Sequence, residues 1–382
     1  MDAIPVSELT SLMTPACIID MGKFQRNISC MQAVAKRDEL VLRPHVKTLK
    51  SLAAAERYAP ANGPITVSTL AEAEYFAAAG YHDILYAVGL VPNKYARVQA
   101  LSERAEKFTV VLDSLAAVNA LVSFADSLEH PLQVMLEIDV DDHRAGLLPM
   151  SDELLECAKA LQATPKLHFR GIMTHAGGSY DCFSQQARDA MAEQECALIA
   201  KASARLAANQ IHCELVSAGS TPTALANTHH KGINELRAGV YATFDCVMAG
   251  LGVCDTDDIA MSVLTSVIGH QTDKNWVIVD AGWMALSRDQ GTATHAKNCG
   301  YGLVCDPQGR LLEGWYVSST NQEHGIISHI DGKKPDDAIF AYGNMLRILP
   351  IHACATAAQF SAYQVIDEDG KVTETWSRIT GW

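Results

Sequence analysis

Residues 65–87, ITVSTLAEAEYFAAAGYHDILYA, contain one complete strand–helix–strand unit. The short apolar and β-branched runs at its two ends, 65–69 and 83–87, are typical of buried strands. Between them, Thr69 and Glu72 have the spacing of a capping box that opens a helix over 70–79, and Gly80 stands where a left-handed helix end is favoured. This order predicts two parallel strands joined by a helical crossover.

The same alternation extends along the chain on both sides of this unit. Its connections are long enough for a helix of roughly ten residues or more, and helices are predicted at 115–128, opened by Ser114, and at 184–208. Eight such strands predict a (β/α)8 barrel of the TIM type rather than an open doubly wound sheet, and we assign it residues 27–255. The predicted strands are 41–46, 65–69, 83–87, 108–113, 132–139, 169–176, 212–218 and 235–243.

The pattern changes near residue 256, where short strands follow one another across turns without a long helix between them. We therefore predict a C-terminal antiparallel β domain made of residues 256–382, with which the first 26 residues are expected to pair. Its predicted strands are 261–270, 276–280, 301–305, 315–320, 325–329, 345–350, 363–367 and 371–376.

The composition excludes several classes of protein. The 382 residues contain 30 Lys and Arg against 44 Asp and Glu, a net charge of −14 that argues against nucleic acid or an anionic membrane surface as partner. We find no apolar run of the roughly 18–20 residues that span a bilayer, and no signal-peptide pattern at the start. The 11 cysteines, an odd number without a C-x-x-C pair, indicate free thiols in the cytoplasm.

In a (β/α)8 barrel, catalytic groups lie at the carboxyl ends of the strands. Lys47 follows the first predicted strand and should point into the barrel mouth, where loss of surrounding water would lower its pKa and leave a nucleophilic amine. The alternative is an ordinary solvated lysine. Lys50, predicted to lie in the next helix, is expected to be the solvated one of the two.

The loop after the seventh strand has the composition of an anion site. Gly219, Ser220 and Thr221 bring backbone N–H groups and two hydroxyls to a helix start, and a phosphate site after strands seven and eight recurs in such barrels. The alternative is that these residues only cap the helix, with Pro222 in its first turn. A lysine facing a phosphate pocket suggests a Schiff base with pyridoxal phosphate.

His352 and Cys354 form an H-x-C pair in the β domain. On an extended strand, residues two apart face the same side, so an imidazole and a thiolate can converge on one metal ion. Two protein ligands leave positions open for water or substrate, as in a catalytic site. The nearby segment 283–288 is a candidate active-site loop to which the sequence assigns no role.

Three motifs carry a family resemblance: RPHVKT at 43–48, VSAGSTPT at 216–223 and PIHAC at 350–354. They resemble the fold-type III pyridoxal phosphate enzymes, whose archetype is alanine racemase, and above all the branch of D-serine dehydratases and D-threonine aldolases. The resemblance covers nearly the whole chain, from residue 14 to residue 382. It implies that Lys47 holds the cofactor, that Arg144 lies by its phenolic oxygen, that His175 and Tyr180 line the pocket, and that the phosphate is held by Gly219, Ser220, Thr221, Gly239 and Tyr241.

The resemblance also implies a divalent metal on His352 and Cys354, with zinc favoured by the thiolate and manganese or magnesium as alternatives. It implies a homodimer in which the β domain and a second subunit complete the barrel mouth. Racemases of this fold use a tyrosine of the β domain as a second base, whereas here the H-x-C pair takes that functional place. Racemisation is therefore not expected.

The implied activity is a pyridoxal phosphate- and metal-dependent dehydratase. It would act on D-3-hydroxy amino acids such as D-threo-3-hydroxyaspartate or D-serine and release oxaloacetate or pyruvate with ammonia. A D-threonine aldolase, which yields glycine and an aldehyde, is the alternative within the family. A non-catalytic pyridoxal phosphate carrier is a further alternative, although such carriers resemble the barrel half alone.

Overall fold

The computed structural model describes residues 7–60 and 63–382. The described chain divides into two compact units, which we call the barrel unit (30–239 with 379–382) and the β unit (7–29 with 240–378). Residues 240–255, placed in the barrel by the bounds predicted from the sequence, pack within the β unit. Residues 1–6 of the predicted N-terminal β segment lie outside the described residues.

The strands are named in chain order. They are β1 (Ser7–Glu8), β2 (Ala16–Asp20), β3 (Val41–Pro44), β4 (Ile65–Val67), β5 (Asp83–Tyr86), β6 (Lys107–Leu112), β7 (Leu132–Ile138), β8 (Leu167–Thr174), β9 (Leu215–Ala218), β10 (Glu235–Ala238), β11 (Met261–Gln271), β12 (Trp276–Val279), β13 (Leu303–Cys305), β14 (Leu311–Thr320), β15 (Gly325–His329), β16 (Met345–Leu349), β17 (Ala362–Ile366) and β18 (Lys371–Ser377).

The α-helices are named in the same way. They are α1 (Met21–Arg37), α2 (Leu52–Tyr58), α3 (Leu70–Ala78), α4 (Tyr95–Ser102), α5 (Leu115–Phe124), α6 (Asp152–Gln162), α7 (Gln185–Ala208), α8 (Thr221–Ala224), α9 (Cys246–Gly250), α10 (Trp283–Leu286) and α11 (Ala353–Ala357).

The barrel unit is built on the predicted parallel sheet. Its order is β3-β10-β9-β8-β7-β6-β5-β4, and a single bridge between His45 and Thr66 brings the two end strands together. All eight predicted barrel strands are confirmed, with ends shifted by a few residues. The last one ends at Ala238 rather than at residue 243, because 240–242 turn into a short 3-10 helix.

The predicted helix starts are confirmed by their caps. The Thr69 side chain accepts a hydrogen bond from the Glu72 N–H at 3.1 Å, and Ser114 and Ser184 cap α5 and α7 in the same way. Gly80 adopts φ +94° just after α3, a conformation that is easy for glycine and strained for other residues. Local side-chain chemistry therefore sets where these helices begin and end.

The interior of the barrel has a charged layer below an apolar one. Arg43 of β3 pairs with Glu235 at 2.7 Å and with Asp83 at 2.9 Å, and Arg170 binds the same aspartate at 3.0 Å. Removing one partner of such a buried pair typically costs about 3–5 kcal/mol. Above this layer, Leu85, Val111, Met135 and Met173 form an apolar cluster. Arg43 is thus a structural part of its motif, below the strand ends where chemistry is expected.

The β unit contains a closed antiparallel barrel. Strand β11 pairs with both β12 and β16, so β11, β12, β15, β14, β13 and β16 form a ring around buried side chains such as Val263, Ile327 and Ile348. The N-terminal strand β2 pairs antiparallel with β11, as predicted. One pair differs from the prediction, because β2 and β17 run parallel.

Two further features concern the cysteines and the possibility of a membrane-spanning helix. All 11 cysteines are free thiols, as predicted from their number and spacing. Within residues 7–60 and 63–382, no helix combines the length and the apolar character needed to cross a bilayer.

Candidate active site

Lys47 and Lys50 differ from their predicted surroundings. Lys47 lies in the turn after β3 with an exposed side chain, so the loss of surrounding water predicted for it does not occur. Lys50 precedes α2 instead of lying in a helix, and its Nζ pairs with the fully buried carboxylate of Glu72 at 3.0 Å. The predicted solvated lysine is therefore a structural one, and Lys47 is the more accessible amine.

Two histidines lie close enough to Lys47 to be affected by its charge. His45 Nε2 is 2.8 Å from the Ser68 hydroxyl, and His175 Nδ1 is 3.2 Å from the Gly219 carbonyl oxygen. Because a carbonyl only accepts, His175 Nδ1 carries the proton of a neutral ring. Burial, opposed by the Gly219 hydrogen bond and assisted by the charges of Arg237 and Lys47, lowers the pKa of His175 to about 3. The site thus holds an uncharged imidazole beside a lysine.

This pKa shift makes the stability of the cofactor-free chain depend on pH. Between pH 6.5 and about 3, His175 binds a proton in the unfolded chain but not in the folded one. We therefore expect the free energy of unfolding to be highest above pH 6.5 and to fall on acidification, by at most about 1.4 kcal/mol per pH unit from this residue. Urea unfolding at several pH values, compared between the wild type and His175→Gln, measures that contribution. Identical slopes in the two proteins would contradict it.

The loop after β9 forms the predicted helix cap and leaves one of its hydroxyls unused. Ser220 caps α8, accepting from the Thr223 N–H at 3.3 Å while its own N–H donates to Thr223 Oγ1 at 2.9 Å. Thr221 Oγ1 is buried and has no hydrogen-bond partner among the described residues. Capping therefore uses Ser220 and leaves a buried hydroxyl at the same helix start for a ligand.

Gly219 cannot be replaced without disturbing this loop. It has φ +127°, and a Cβ built on it would lie 2.4 Å from the Arg237 carbonyl oxygen. Its backbone therefore lies directly against β10. Close approach of backbone without a side chain is a common feature of phosphate-binding loops.

Glu195, on α7, joins two of the loops at the strand ends. Its Oε1 accepts hydrogen bonds from the Ala176 N–H at 2.9 Å and from the Gly219 N–H at 3.2 Å. The side chain is fully buried, and burial raises its pKa while these bonds oppose the rise. This residue was missed in the sequence, because it lies in the middle of a long helix, outside any motif.

Two arginines lie near these loops. Arg237 of β10 is buried and donates to Ser217 Oγ at 2.9 Å and to the Thr174 carbonyl; burial lowers its pKa, opposed by Glu235. The sequence assigned Arg237 no role. Arg144, predicted near the cofactor, donates to Glu137 Oε1 at 3.0 Å from a largely exposed side chain.

The barrel unit contains most of the predicted cofactor residues at the carboxyl ends of its strands. Tyr180 is partly exposed, with its ring centroid 6.4 Å from that of His175. A Cβ on Gly239 would lie 3.3 Å from His45 Cβ. Tyr241, predicted with the phosphate residues, falls within the β unit and is buried there.

The H-x-C pair lies in the β unit, at the start of a helix. Strand β16 ends at Leu349, and His352 is the extended residue before α11, whereas Cys354 is already helical. The predicted strand geometry is therefore wrong, although the imidazole and the thiol still interact. Asp245 Oδ2 accepts from the Ala353 N–H at 2.9 Å and thereby holds the backbone between them.

Neighbouring side chains stabilise the charged form of the His352 imidazole. Its Nδ1 lies 2.7 Å from Asp289 Oδ2. Burial lowers the pKa of His352, but Asp289 and Cys354 outweigh that effect and raise it to about 11. Among the described residues, no three His, Cys, Asp or Glu side chains are grouped so that they could hold a metal ion. A metal at this pair would therefore have two protein ligands and open positions.

Comparisons with known proteins agree with this division of the chain. The model of the alanine racemase N-terminal domain matches residues 19–246, and that of a putative serine dehydratase domain matches residues 260–366. D-threo-3-hydroxyaspartate dehydratase of Delftia sp. (strain HT23) is 48% identical over 378 residues, covering 98% of this chain and 99% of the relative. D-serine dehydratase of Dictyostelium discoideum is 29% identical, covering 98% of both chains.

Among solved structures, a cysteine-to-alanine variant of D-threo-3-hydroxyaspartate dehydratase in the metal-free form superimposes with a TM-score of 0.95. It is 46% identical, and the match covers 98% of this chain and 100% of that one. The described fold is therefore shared along nearly the whole length of this chain.

Proposed function

Since this chain belongs to the alanine racemase-like family and is a pyridoxal phosphate-dependent lyase, we propose that it dehydrates D-3-hydroxy amino acids to a 2-oxo acid and ammonia. The observation that carries the choice of reaction is the His352–Cys354 pair. Hydroxide is a poor leaving group at neutral pH, and a Lewis acid held by an imidazole and a thiolate would assist its departure. The similarity to D-threo-3-hydroxyaspartate dehydratase makes D-threo-3-hydroxyaspartate the first substrate to test, ahead of D-serine.

The loop after β9 fits the cofactor's phosphate. Thr221 Oγ1 is buried without a partner among the described residues, and Gly219 with φ +127° allows the loop backbone to lie directly against β10. We assign five residues to the phosphate: Gly219, Ser220, Thr221, Gly239 and Tyr241. When bound, pyridoxal phosphate supplies an electron sink for negative charge that develops at the substrate Cα.

Lys47 has two roles in this proposal. Its exposed amine holds the cofactor before substrate arrives, and the same Nζ then takes the proton from the substrate Cα as general base. The nearby imidazoles of His45 and His175 are kept uncharged by burial, so they do not compete with Lys47 for a proton in the neutral range.

The remaining barrel residues bind and orient. Neutral His175 and Tyr180, with ring centroids 6.4 Å apart, would line the cofactor pocket. Arg144 would donate to the phenolic oxygen, and its hydrogen bond to Glu137 Oε1 at 3.0 Å limits the directions in which its guanidinium can point. Glu195 holds the loops that carry His175 and Ser220 at a constant separation through the backbone of Ala176 and Gly219.

A divalent metal fits the donor set of the β unit. An imidazole and a thiolate are ligands that zinc prefers, with manganese or magnesium as alternatives. When bound, the ion supplies Lewis acidity that stabilises the hydroxide as it leaves. Asp245 fixes the Ala353 backbone, so that His352 and Cys354 keep their mutual orientation.

The localisation, oligomeric state and partners predicted from the sequence are part of the same proposal. We propose a cytoplasmic homodimer that acts on a small amino acid and binds neither nucleic acid nor membrane. The net charge of −14 and the 11 free thiols support the proposal. Sedimentation of the purified chain measures the oligomeric state.

A panel of D-threo-3-hydroxyaspartate, D-serine and D-threonine, each with its L enantiomer, tests the activity. We expect ammonia and the matching 2-oxo acid from D substrates, and no product from L substrates. Glycine with an aldehyde, and no 2-oxo acid, would instead identify an aldolase. Bound cofactor without turnover of any substrate would identify a carrier.

A further inference from the structure

We propose that Asp289 is a positioning residue for the metal site: its carboxylate fixes the proton and the orientation of the His352 ring, so that the opposite nitrogen is ready to bind the ion. The inference rests on the proposed function of His352 and Cys354. Asp289 directly follows the 283–288 segment, to which the sequence assigned no role.

The hydrogen bond between the two side chains determines which ring nitrogen can bind a metal. Asp289 Oδ2 lies 2.7 Å from His352 Nδ1. An ionised carboxylate only accepts hydrogen bonds, so Nδ1 must carry a proton, and loss of the second proton leaves the lone pair on Nε2. Metal-bound histidines commonly donate their other N–H to a carboxylate in this way.

Asp289 is itself held by its own loop. Its second oxygen, Oδ1, accepts the Gly291 N–H at 2.8 Å, and its backbone N–H donates to Ser287 Oγ at 3.2 Å. Both carboxylate oxygens are therefore engaged, one with the loop and one with the imidazole. This arrangement suits a residue that orients a ligand rather than one that binds the ion.

The loop that carries Asp289 is fastened to the helix that carries Cys354. Thr356 of α11 donates its hydroxyl proton to the Leu286 carbonyl at 3.0 Å, and both groups are buried. The imidazole is thus fixed through its ring by Asp289, while Asp245 fixes the adjoining backbone at Ala353. Both constraints lie within the β unit.

Metal affinity of the cofactor-loaded, metal-stripped enzyme tests the inference. Competition between the protein and a chelator for Zn²⁺ and Co²⁺ gives the affinity, and the absorption bands of bound Co²⁺ report its coordination. We expect Asp289→Asn to weaken binding about 10–100-fold, the usual range for loss of such a partner, and to alter the Co²⁺ spectrum. Asp289→Glu, which keeps the charge, should recover part of the affinity.

Asp331→Asn is the matched control, because Asp331 lies near another histidine of the β unit, with Oδ2 3.8 Å from His329 Nδ1. It should bind both metals as the wild type does. If Asp289→Asn binds both metals with wild-type affinity and spectrum while His352→Ala loses binding, the proposed role of Asp289 is wrong but the proposed metal site is retained. Unchanged binding in His352→Ala would overturn the proposed metal site itself, and the inference with it.

Discussion

Lys47→Ala is expected to abolish turnover, lowering kcat/KM by at least about 10⁴-fold. One amine holds the cofactor and then moves the substrate proton, so its removal eliminates both functions. The variant should also lose the visible absorption band that pyridoxal phosphate shows when joined to a lysine. Absorbance spectra and initial rates on D-threo-3-hydroxyaspartate measure the two effects.

Lys50→Ala is the matched control for this prediction. The two lysines are three residues apart, but Lys50 pairs with buried Glu72 at 3.0 Å and therefore has a structural role. Its removal should lower stability while the visible band remains. A Lys47→Ala protein that keeps both the band and the activity would refute the assignment of this lysine.

Removal of the metal has the second largest expected effect. Stripping the enzyme with a chelator should reduce turnover by about 10³-fold or more, because Lewis-acid stabilisation of a leaving hydroxide contributes several kcal/mol. The cofactor band should remain, since Lys47, Ser220 and Thr221 belong to the barrel unit whereas His352 and Cys354 belong to the β unit. Spectra and rates before and after chelation separate the two effects.

Cys354→Ala should behave like the stripped enzyme even with added metal. Cys213→Ala, a partly buried thiol of the barrel unit, is the control and should retain full activity. Adding back zinc, manganese or magnesium to the stripped wild type identifies the ion. Full activity in chelated enzyme would exclude a catalytic metal from the proposed mechanism.

The sequence predictions were most accurate where the interactions join residues that are close together in the chain. Strand and helix positions were predicted well because alternation and caps such as Thr69 with Glu72 involve neighbours in the chain. Reasoning from neighbours in the chain also predicted the wrong conformation for Cys354. An H-x-C pair that follows a strand is expected to be extended, but helix α11 begins between its two members.

Lysine environments depended on distant partners. Lys50 was predicted to be solvated, but its side chain forms an ion pair with Glu72, a buried residue of α3 that lies 22 residues further along the chain. Lys47 was expected to point into the barrel mouth and lose its surrounding water, but the chain turns immediately after Pro44 and leaves its side chain exposed. A pattern of residue types does not report such pairings, because they arise only when separate strands and helices meet.

Short, contiguous sequence patterns encode the order of strands and helices, the two-part construction, and the residue types available for a cofactor and a metal. Tertiary structure alone decided that Glu195 ties two loops together and that Asp289 faces His352, 63 residues further along the chain. Hydrogen bonds of 2.7–3.2 Å require exact placement of both partners, and only the folded chain supplies that placement.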